Sequence, residues 1–172
     1  MNIMYMIGCL VGCYLFGWIS DAFGRIKPLM LGILLVSLAG LGGPSGVYAI
    51  AALHLVCGVG AIACFMVSFV LIVEHVEFRY SYMLGLLIYV PFALGEVLLD
   101  VEAYFIRDWK TLQMVAYLPM LGLLIIFWTV PESVRWLLAK GKIEEAKKIV
   151  HSIAATNGKL IHEISSCLQS HI

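Results

Sequence analysis

Four stretches of this sequence contain no Asp, Glu, Lys or Arg, and their lengths approach or exceed what a lipid bilayer requires. They cover residues 1–20, 28–41, 47–73 and 112–130, and a fifth apolar stretch at 82–105 contains three acids. A helix needs about 20 mostly apolar residues to cross the hydrocarbon core. Because lipid cannot satisfy the open edge of a sheet, each span must be helical. We therefore predict an all-α, multi-pass membrane protein with five spans.

The connections between these spans are short, and the composition changes at Pro131. From there onward, apolar residues recur at helical spacing among basic ones. The sequence therefore divides into a partial transmembrane bundle, residues 1–130, and a segment at 131–172 with an amphipathic helix. Its predicted apolar face consists of Ile143, Ala146, Ile149, Val150 and Ile153.

Basic residues are concentrated on one side of the predicted membrane topology. The turns at 21–28 and 74–81, together with residues 131–172, carry nine of the eleven Lys and Arg residues. Loops rich in Lys and Arg stay in the cytoplasm. We therefore expect the first span to run from outside to inside and residues 131–172 to be cytoplasmic.

The pattern of reactive residues argues against an enzyme. We find no Ser–His–Asp order, no glycine-rich phosphate loop and no metal-ligand spacing among the histidines and cysteines. The formal net charge is zero, which provides no global field for a nucleic acid. The predicted partner is the lipid bilayer, and we expect no cofactor and no bound metal.

The stretch GWISDAFGRIKP, residues 17–28, places an acid, two bases and two glycines between two apolar runs. Gly17 would let a neighbouring helix approach closely. Gly24 would allow a tight reversal, because glycine tolerates positive φ. Asp21 can accept hydrogen bonds at the start of a nearby helix, and Arg25 can pair with acids. From these residues alone, a loop that only sets topology and a functional charge cluster are both open.

Three motifs make the chain resemble one family. The pattern G-x-x-x-D-x-x-G-R at residues 17–25 is similar to the signature between the second and third helices of the major facilitator superfamily. PESVRWLLAKGK, residues 131–142, resembles the signature after the sixth helix of sugar porters and organic ion transporters. FALGEVLLDVEAYFIRDWKTLQ, residues 92–113, is similar to the fifth-helix region of the organic cation/anion/carnitine transporters. The resemblance covers nearly the whole chain.

The resemblance implies that the chain corresponds to helices two to six of a twelve-helix transporter, a partial N-terminal bundle of that superfamily. It implies alternating access, in which two halves rock about a site for a small organic cation, anion or zwitterion at the plasma membrane. In that family, charged residues on the cytoplasmic side form an inner gate. The positions that match the gate and its motifs are Gly17, Asp21, Gly24, Arg25, Glu74, Pro131, Glu132, Ser133 and Arg135.

The chain departs from the family pattern at several positions. His54 occupies a place in the fourth family helix where Arg is usual, and Ser81 stands where another Arg is expected, with Arg79 two positions earlier. We therefore expect a weaker or rearranged inner gate. Asp100 and Glu102 replace residues that are usually small or apolar, and the resemblance implies no role for them.

Three residues are candidates for a cavity that receives the transported molecule. Glu96 lies inside an apolar span, where an acid is costly and marks either a functional site or a packed, hydrogen-bonded acid. Tyr89 can hold an organic cation through its ring, or it can pack against a neighbour. An imidazole can carry a proton near neutral pH, which makes His54 a candidate, but its predicted span offers no acid as partner.

A complete family member has twelve spans, so the resemblance predicts that this chain works with a missing transporter half or with a full-length transporter. Three explanations are open. The chain is a fragmentary gene model of a normal transporter, a degenerate or truncated isoform, or a non-transporting membrane protein that docks on or regulates a full-length transporter.

Overall fold

The structure is a computed structural model that describes residues 2–42, 46–76, 78–127 and 130–157. In this part of the chain there are eight helices and no strands. They are α1 Asn2–Phe23, α2 Ile26–Leu41, α3 Val47–His75, α4 Phe78–Leu87, α5 Tyr89–Phe105, α6 Trp109–Phe127, α7 Val134–Ala139 and α8 Ile143–Asn157. The chain forms two compact units, residues 1–130 and residues 131–172.

Three segments are long and apolar enough to cross a membrane: Ile3–Phe23, Val47–Glu74 and Met83–Phe105. Ile26–Leu41 and Trp109–Ile125 are apolar but shorter. These five segments follow the order of the five predicted spans, which confirms the predicted all-α membrane fold. Helix α1 continues to Phe23, beyond the predicted end at residue 20, so the acid of the first turn lies in its last helical turn.

The fourth predicted span, residues 82–105, matches the apolar segment Met83–Phe105, within which the helix is interrupted at Ile88. Helix α4 ends at Leu87, and α5 begins after Ile88. The physical reason is Pro91, which has no N–H to bond the carbonyl of Leu87 and whose ring crowds that carbonyl. Pro119 lies inside α6, which continues past it.

Helices α1 and α3 pack with their backbones in direct contact. A Cβ atom added at Gly12 would lie 2.7 Å from the carbonyl oxygen of Val59. A Cβ atom at Gly58 would overlap the carbonyl oxygen of Tyr5. Because lipid tails are as apolar as leucine, helices in a membrane associate through this kind of close packing. Glycine at these positions therefore sets the distance between α1 and α3.

A small apolar core joins α2 to α3. Leu29 and Ile33 of α2 pack with Val67 and Leu71 of α3, and all four are buried. The partly buried residues around them are Ile26, Cys64, Leu124 and Val130. Helix α6 also contacts α2, so the packed part of the first unit consists of α1, α2, α3 and α6. Helix α5 differs, because none of its residues is buried.

Candidate functional site

The turn between α1 and α2 brings Arg25 into contact with acids on two helices. Its Nη1 donates to Asp21 Oδ1 at 2.6 Å and to Ser20 Oγ at 2.9 Å. Its Nη2 donates to Glu74 Oε1 at 2.9 Å, and its Nε lies 3.3 Å from both oxygens of Glu74. Glu74 belongs to the last turn of α3. The structure thus joins Asp21 and Arg25 of the 17–25 motif to Glu74, a gate position that the resemblance implied, and it adds Ser20. We call Ser20, Asp21, Arg25 and Glu74 the Arg25 cluster.

Burial and charge distinguish the members of the Arg25 cluster. The side chains of Arg25 and Glu74 are 12% and 16% exposed, whereas that of Asp21 is 76% exposed. Burial acts to lower the pKa of Arg25, but the hydrogen bonds that Arg25 donates to Glu74 and then to Asp21 outweigh it, and the pKa is raised above its usual value. Arg25 therefore carries a permanent charge that its acids stabilise.

Gly24 makes the reversal that presents Arg25. It has a φ of 101°, which L side chains rarely adopt, and its N–H bonds the carbonyl of Ser20 at 3.2 Å. This confirms the predicted role of Gly24 in the turn. Gly17 is different, because no described residue of another helix comes within 4 Å of a Cβ placed there. The close helix approach predicted at Gly17 occurs instead at Gly12 and Gly58.

In the second unit, the PESVRWLLAKGK motif builds the start of α7. Ser133 is its N-cap: the Oγ accepts the N–H of Trp136 at 3.3 Å, and the residue is fully buried. Glu132 Oε1 accepts the N–H of Ser133 at 3.1 Å. Pro131 precedes this cap at an exposed position. Glu132 and Ser133 therefore have local structural roles, whatever else they do.

The same motif also ends α7. Gly141 has a φ of 73°, and the N–H of Lys142 bonds the carbonyl of Leu137 at 2.9 Å. This is the glycine-ended pattern that closes many helices. Arg135 lies on α7 at an exposed position. Glycine suits position 141 because the backbone there has a positive φ, whereas Arg135 lies on the surface of its unit.

A cavity of about 1100 Å³ lies among α1, α2, α3, α5 and α6. His54 lines it, and its Nδ1 lies 2.9 Å from the carbonyl oxygen of Ile50. Since a carbonyl only accepts, Nδ1 donates, and Nε2 of a neutral ring is an acceptor. Among the described residues that line it, Glu102 is the one with a charged side chain. The cavity wall also contains Tyr117, whose hydroxyl lies 3.8 Å from Cys57 Sγ.

The other two cavity candidates lie elsewhere. Tyr89 lines a smaller cavity of about 260 Å³, where its ring centroid lies 6.0 Å from that of Phe65. Glu96 is exposed on α5 and lines neither of these two cavities. The structure therefore brings only His54, of the three candidates, to the larger cavity.

Sequence reasoning missed the roles of Ser20 and Tyr117, and it assigned none to Glu102. Helical spacing provides a signal for Ser20, because it lies on the turn before Arg25. Glu102 is one turn beyond Leu98 and Leu99, and all three line the larger cavity. Tyr117 leaves no signal in its own helix, since its position depends on Gly40, where a Cβ would overlap the ring.

Residues 2–170 match the family described as "Sugar (and other) transporter". The chain belongs to this family of the major facilitator superfamily. It is 34% identical over 157 residues to solute carrier family 22 member 2 of Rattus norvegicus. It is 35% identical over 159 residues to the organic cation transporter protein of Drosophila melanogaster. Each alignment covers 90% of this chain and 28% of the relative.

The fold is similar to a solved transporter of this superfamily, the xylose transporter XylE from E. coli in a partially occluded inward open conformation. The TM-score is 0.78 at 24% identity, and the similarity covers 96% of this chain and 45% of that chain. The predicted partial bundle of the superfamily is therefore confirmed. The relatives confirm the predicted resemblance to organic ion transporters. The chain spans about 28% of the length of those relatives.

Proposed function

We propose that this chain forms part of a transporter that moves small organic ions across the plasma membrane by alternating access. The proposal concerns a longer protein, because the chain spans 28% of the relatives. Two sources support it: membership of the transporter family, and the name of one relative, an organic cation transporter protein. Rocking of two halves about a central site is the general mechanism of such folds.

The Arg25 cluster is the observation that carries this proposal. A partly desolvated ion pair interacts more strongly than a solvated one, so its state can bias a two-state equilibrium. A bias of about 1–3 kcal/mol is typical of coupled sites. In our proposal, the Arg25 cluster is an inner latch that stabilises the state closed to the cytoplasm. Glu132 and Arg135 are further candidates for this latch on the strength of their sequence motif.

The proposed orientation follows from the distribution of positive charge. The turn with Arg25 and Lys27 and the unit from residue 131 onward are basic. Loops of this kind remain on the cytoplasmic side. The Arg25 cluster then faces the cytoplasm, and so does the second unit. Attachment of a membrane-impermeant label to a cysteine introduced in α8, before and after permeabilisation, tests this orientation.

The larger cavity supports a cationic cargo within the proposed range of organic ions. Glu102 supplies a carboxylate, and His54 and Tyr117 supply an imidazole and an aromatic ring. A carboxylate beside aromatic rings attracts an organic cation through charge and through the ring faces. We expect the Glu102→Gln change to weaken apparent affinity for a cation about tenfold, which corresponds to 1.4 kcal/mol.

A chimaera tests the proposed function. The segment of the Drosophila organic cation transporter protein that aligns with this chain is replaced by this chain's residues, and uptake of a labelled quaternary ammonium and a labelled aromatic carboxylate is measured. We expect uptake that Glu74→Gln reduces and that the exposed-site control Asp108→Asn leaves unchanged. A chimaera that reaches the cell surface but takes up neither probe, while the parent does, contradicts the proposal.

The same cells separate transport from a regulatory role. The 172-residue chain is co-expressed with the unmodified Drosophila protein. If the chain lowers the parent's uptake and the chimaera is inactive, the chain acts as an interaction protein that docks on a transporter. If the chimaera transports and the separate chain has no effect on the parent, the transporter proposal stands.

A further inference from the structure

We propose that the Ser20 hydroxyl is a positioning group that holds the Arg25 guanidinium so that its Nε–Nη2 edge faces Glu74. The effect of Ser20 on transport rests on the proposed function, but the positioning of Arg25 by Ser20 does not depend on it. Ser20 is one residue before the acid of the family motif, and its hydroxyl has not been needed to explain the turn.

The guanidinium of Arg25 is planar, so bonds at one nitrogen fix the direction of the others. Nη1 bonds Ser20 and Asp21 on α1, while Nε and Nη2 bond Glu74 on α3. At least four of its five N–H donors therefore have acceptors on two helices. Rotating the plane to improve one side would weaken the other.

Ser20 and Asp21 both accept from Nη1, but their surroundings differ. Ser20 is 5% exposed, whereas the side chain of Asp21 is 76% exposed. Water competes for an exposed carboxylate, and exposed ion pairs contribute little to stability. A buried hydroxyl on a single rotatable bond is confined to a few directions. Asp21 therefore supplies charge to the Arg25 cluster, and Ser20 fixes the orientation of the Arg25 guanidinium.

This division of roles predicts different results for the two residues. Loss of the Ser20 hydroxyl leaves every charge of the Arg25 cluster in place but frees the orientation of Arg25. Asp21→Asn removes one charge but leaves an oxygen that can accept from Nη1 and leaves Ser20 intact. If the Arg25 cluster worked through charge alone, a change at Ser20 would have no effect.

The chain contains four arginines, which makes direct observation of Arg25 practical. The 172-residue chain, labelled with ¹⁵N in its arginines, is prepared in detergent micelles, and exchange of the Arg25 Nε–H proton with water is measured by NMR. Arg25→Lys identifies the signal, and Glu74→Gln shows the exchange rate without the acceptor on α3. Circular dichroism checks that each variant keeps its helices.

Threonine and valine provide a matched pair at Ser20, because they have the same shape and differ in the hydroxyl. We expect Ser20→Val to speed exchange about threefold to tenfold, the range that loss of one hydrogen bond produces. We expect Ser20→Thr to stay near the original rate. Ser37→Ala is the control for loss of a buried serine, since Ser37 is fully buried and donates to Ile33 at 2.7 Å, far from Arg25 in sequence.

Two outcomes overturn the inference. In the first, Ser20→Val and Ser20→Ala leave the exchange rate unchanged while Glu74→Gln raises it. In the second, Ser20→Thr raises the rate as much as Ser20→Val. Ser20→Ala keeps the test decisive if the valine variant loses helicity, because alanine removes the hydroxyl without adding bulk.

Uptake by the chimaera then connects position with transport. If Ser20 acts through the ion pair, Ser20→Val lowers uptake in the original background and has no further effect beside Glu74→Gln. Exchange does not require transport, so the two proposals fail separately. If Ser20→Val speeds exchange but leaves uptake unchanged, the latch proposal is wrong and the positioning role stands. If Ser20→Val lowers uptake but leaves exchange unchanged, the positioning role is wrong and the latch proposal stands.

Discussion

The α1–α3 pair and helix α5 are both apolar, yet they are packed in opposite ways. Gly12 of α1 and Gly58 of α3 let the two backbones touch. In α5 no residue is buried, and no atom of the described residues comes within 4 Å of a Cβ placed at Gly95. Apolar character alone therefore does not make two membrane helices associate. The arrangement of small residues on a shared face decides which pairs pack.

The same two regions treat charge differently. Glu74, at the end of α3, is bonded to Arg25 and lies mostly out of water. Glu96 and Asp100 lie at exposed positions of α5, one turn apart, and form no ion pair among the described residues. Acids within membrane helices usually face a protein interior or a watery cavity. The packed pair thus satisfies its charges internally, whereas α5 presents Glu96 and Asp100 at its surface.

The largest expected effect comes from substituting the glycines of the two regions. Gly58→Ala forces α1 and α3 apart, because the added methyl group meets the backbone carbonyl of Tyr5, which cannot rotate away. We expect a loss of about 2–3 kcal/mol in the free energy of unfolding. Gly95→Ala has open space and gains helix propensity, so we expect a stabilisation of at most about 1 kcal/mol.

Thermal unfolding of both variants in the same detergent measures these effects, with reversibility checked by refolding. The two substitutions must change the free energy of unfolding in opposite directions. Equal destabilisation by both substitutions would show that α5 is as tightly packed as α3, and the comparison would be wrong.

A smaller effect is expected from removing one acid in each region. Glu74→Gln leaves Arg25 partly buried without its main partner, and we expect a loss of about 1–2 kcal/mol, between the values for exposed and buried pairs. Glu96→Gln removes an exposed charge and breaks no ion pair among the described residues. We expect its unfolding free energy to change by less than about 0.5 kcal/mol.

Chemical unfolding of the two variants in mixed micelles compares them directly. The double substitution Arg25→Gln with Glu74→Gln provides the control, since it removes both charges and should recover part of the loss. If Glu96→Gln costs as much as Glu74→Gln, then Glu96 has a partner equal to Arg25, and the contrast in charge disappears.

Much of the fold follows from the sequence, because long apolar runs in a membrane leave helix as the one plausible state. The break after Leu87 was harder to place, since Pro91 weakens the helix without saying where the chain resumes. The sequence also did not predict which face of α1 packs against α3. Gly17 lies five residues after Gly12, which turns it about 140° around α1 and away from α3.

The candidate site was predictable in part for a similar reason. The resemblance named Asp21, Arg25 and Glu74, but the bond between Arg25 and Glu74, which are 49 positions apart, requires that the turn between α1 and α2 lie beside the end of α3. Ser20 carries no charge, so neither the composition nor the motif predicted a role for it. Glu102 stood out as an acid in an apolar span, yet its place in a cavity depends on how α5 and α6 lie in space.

The smallest effect on stability is expected at the start of α6, which follows α5, the helix with no buried residue. This effect tests whether local hydrogen bonds stabilise that region. Asp108 Oδ2 accepts the hydroxyl of Thr111 at 2.7 Å and its N–H at 3.2 Å. These bonds, the side-chain one first, lower the pKa of Asp108. Its contribution to stability is therefore present above its unfolded pKa of about 4 and is lost as pH falls through the lower folded value. Asp108→Asn keeps a capping oxygen and loses the titration, so the melting temperatures of the two proteins should differ slightly at pH 7 and converge in acid. A difference that does not shrink as pH falls would mean that the Asp108 charge does not stabilise the start of α6.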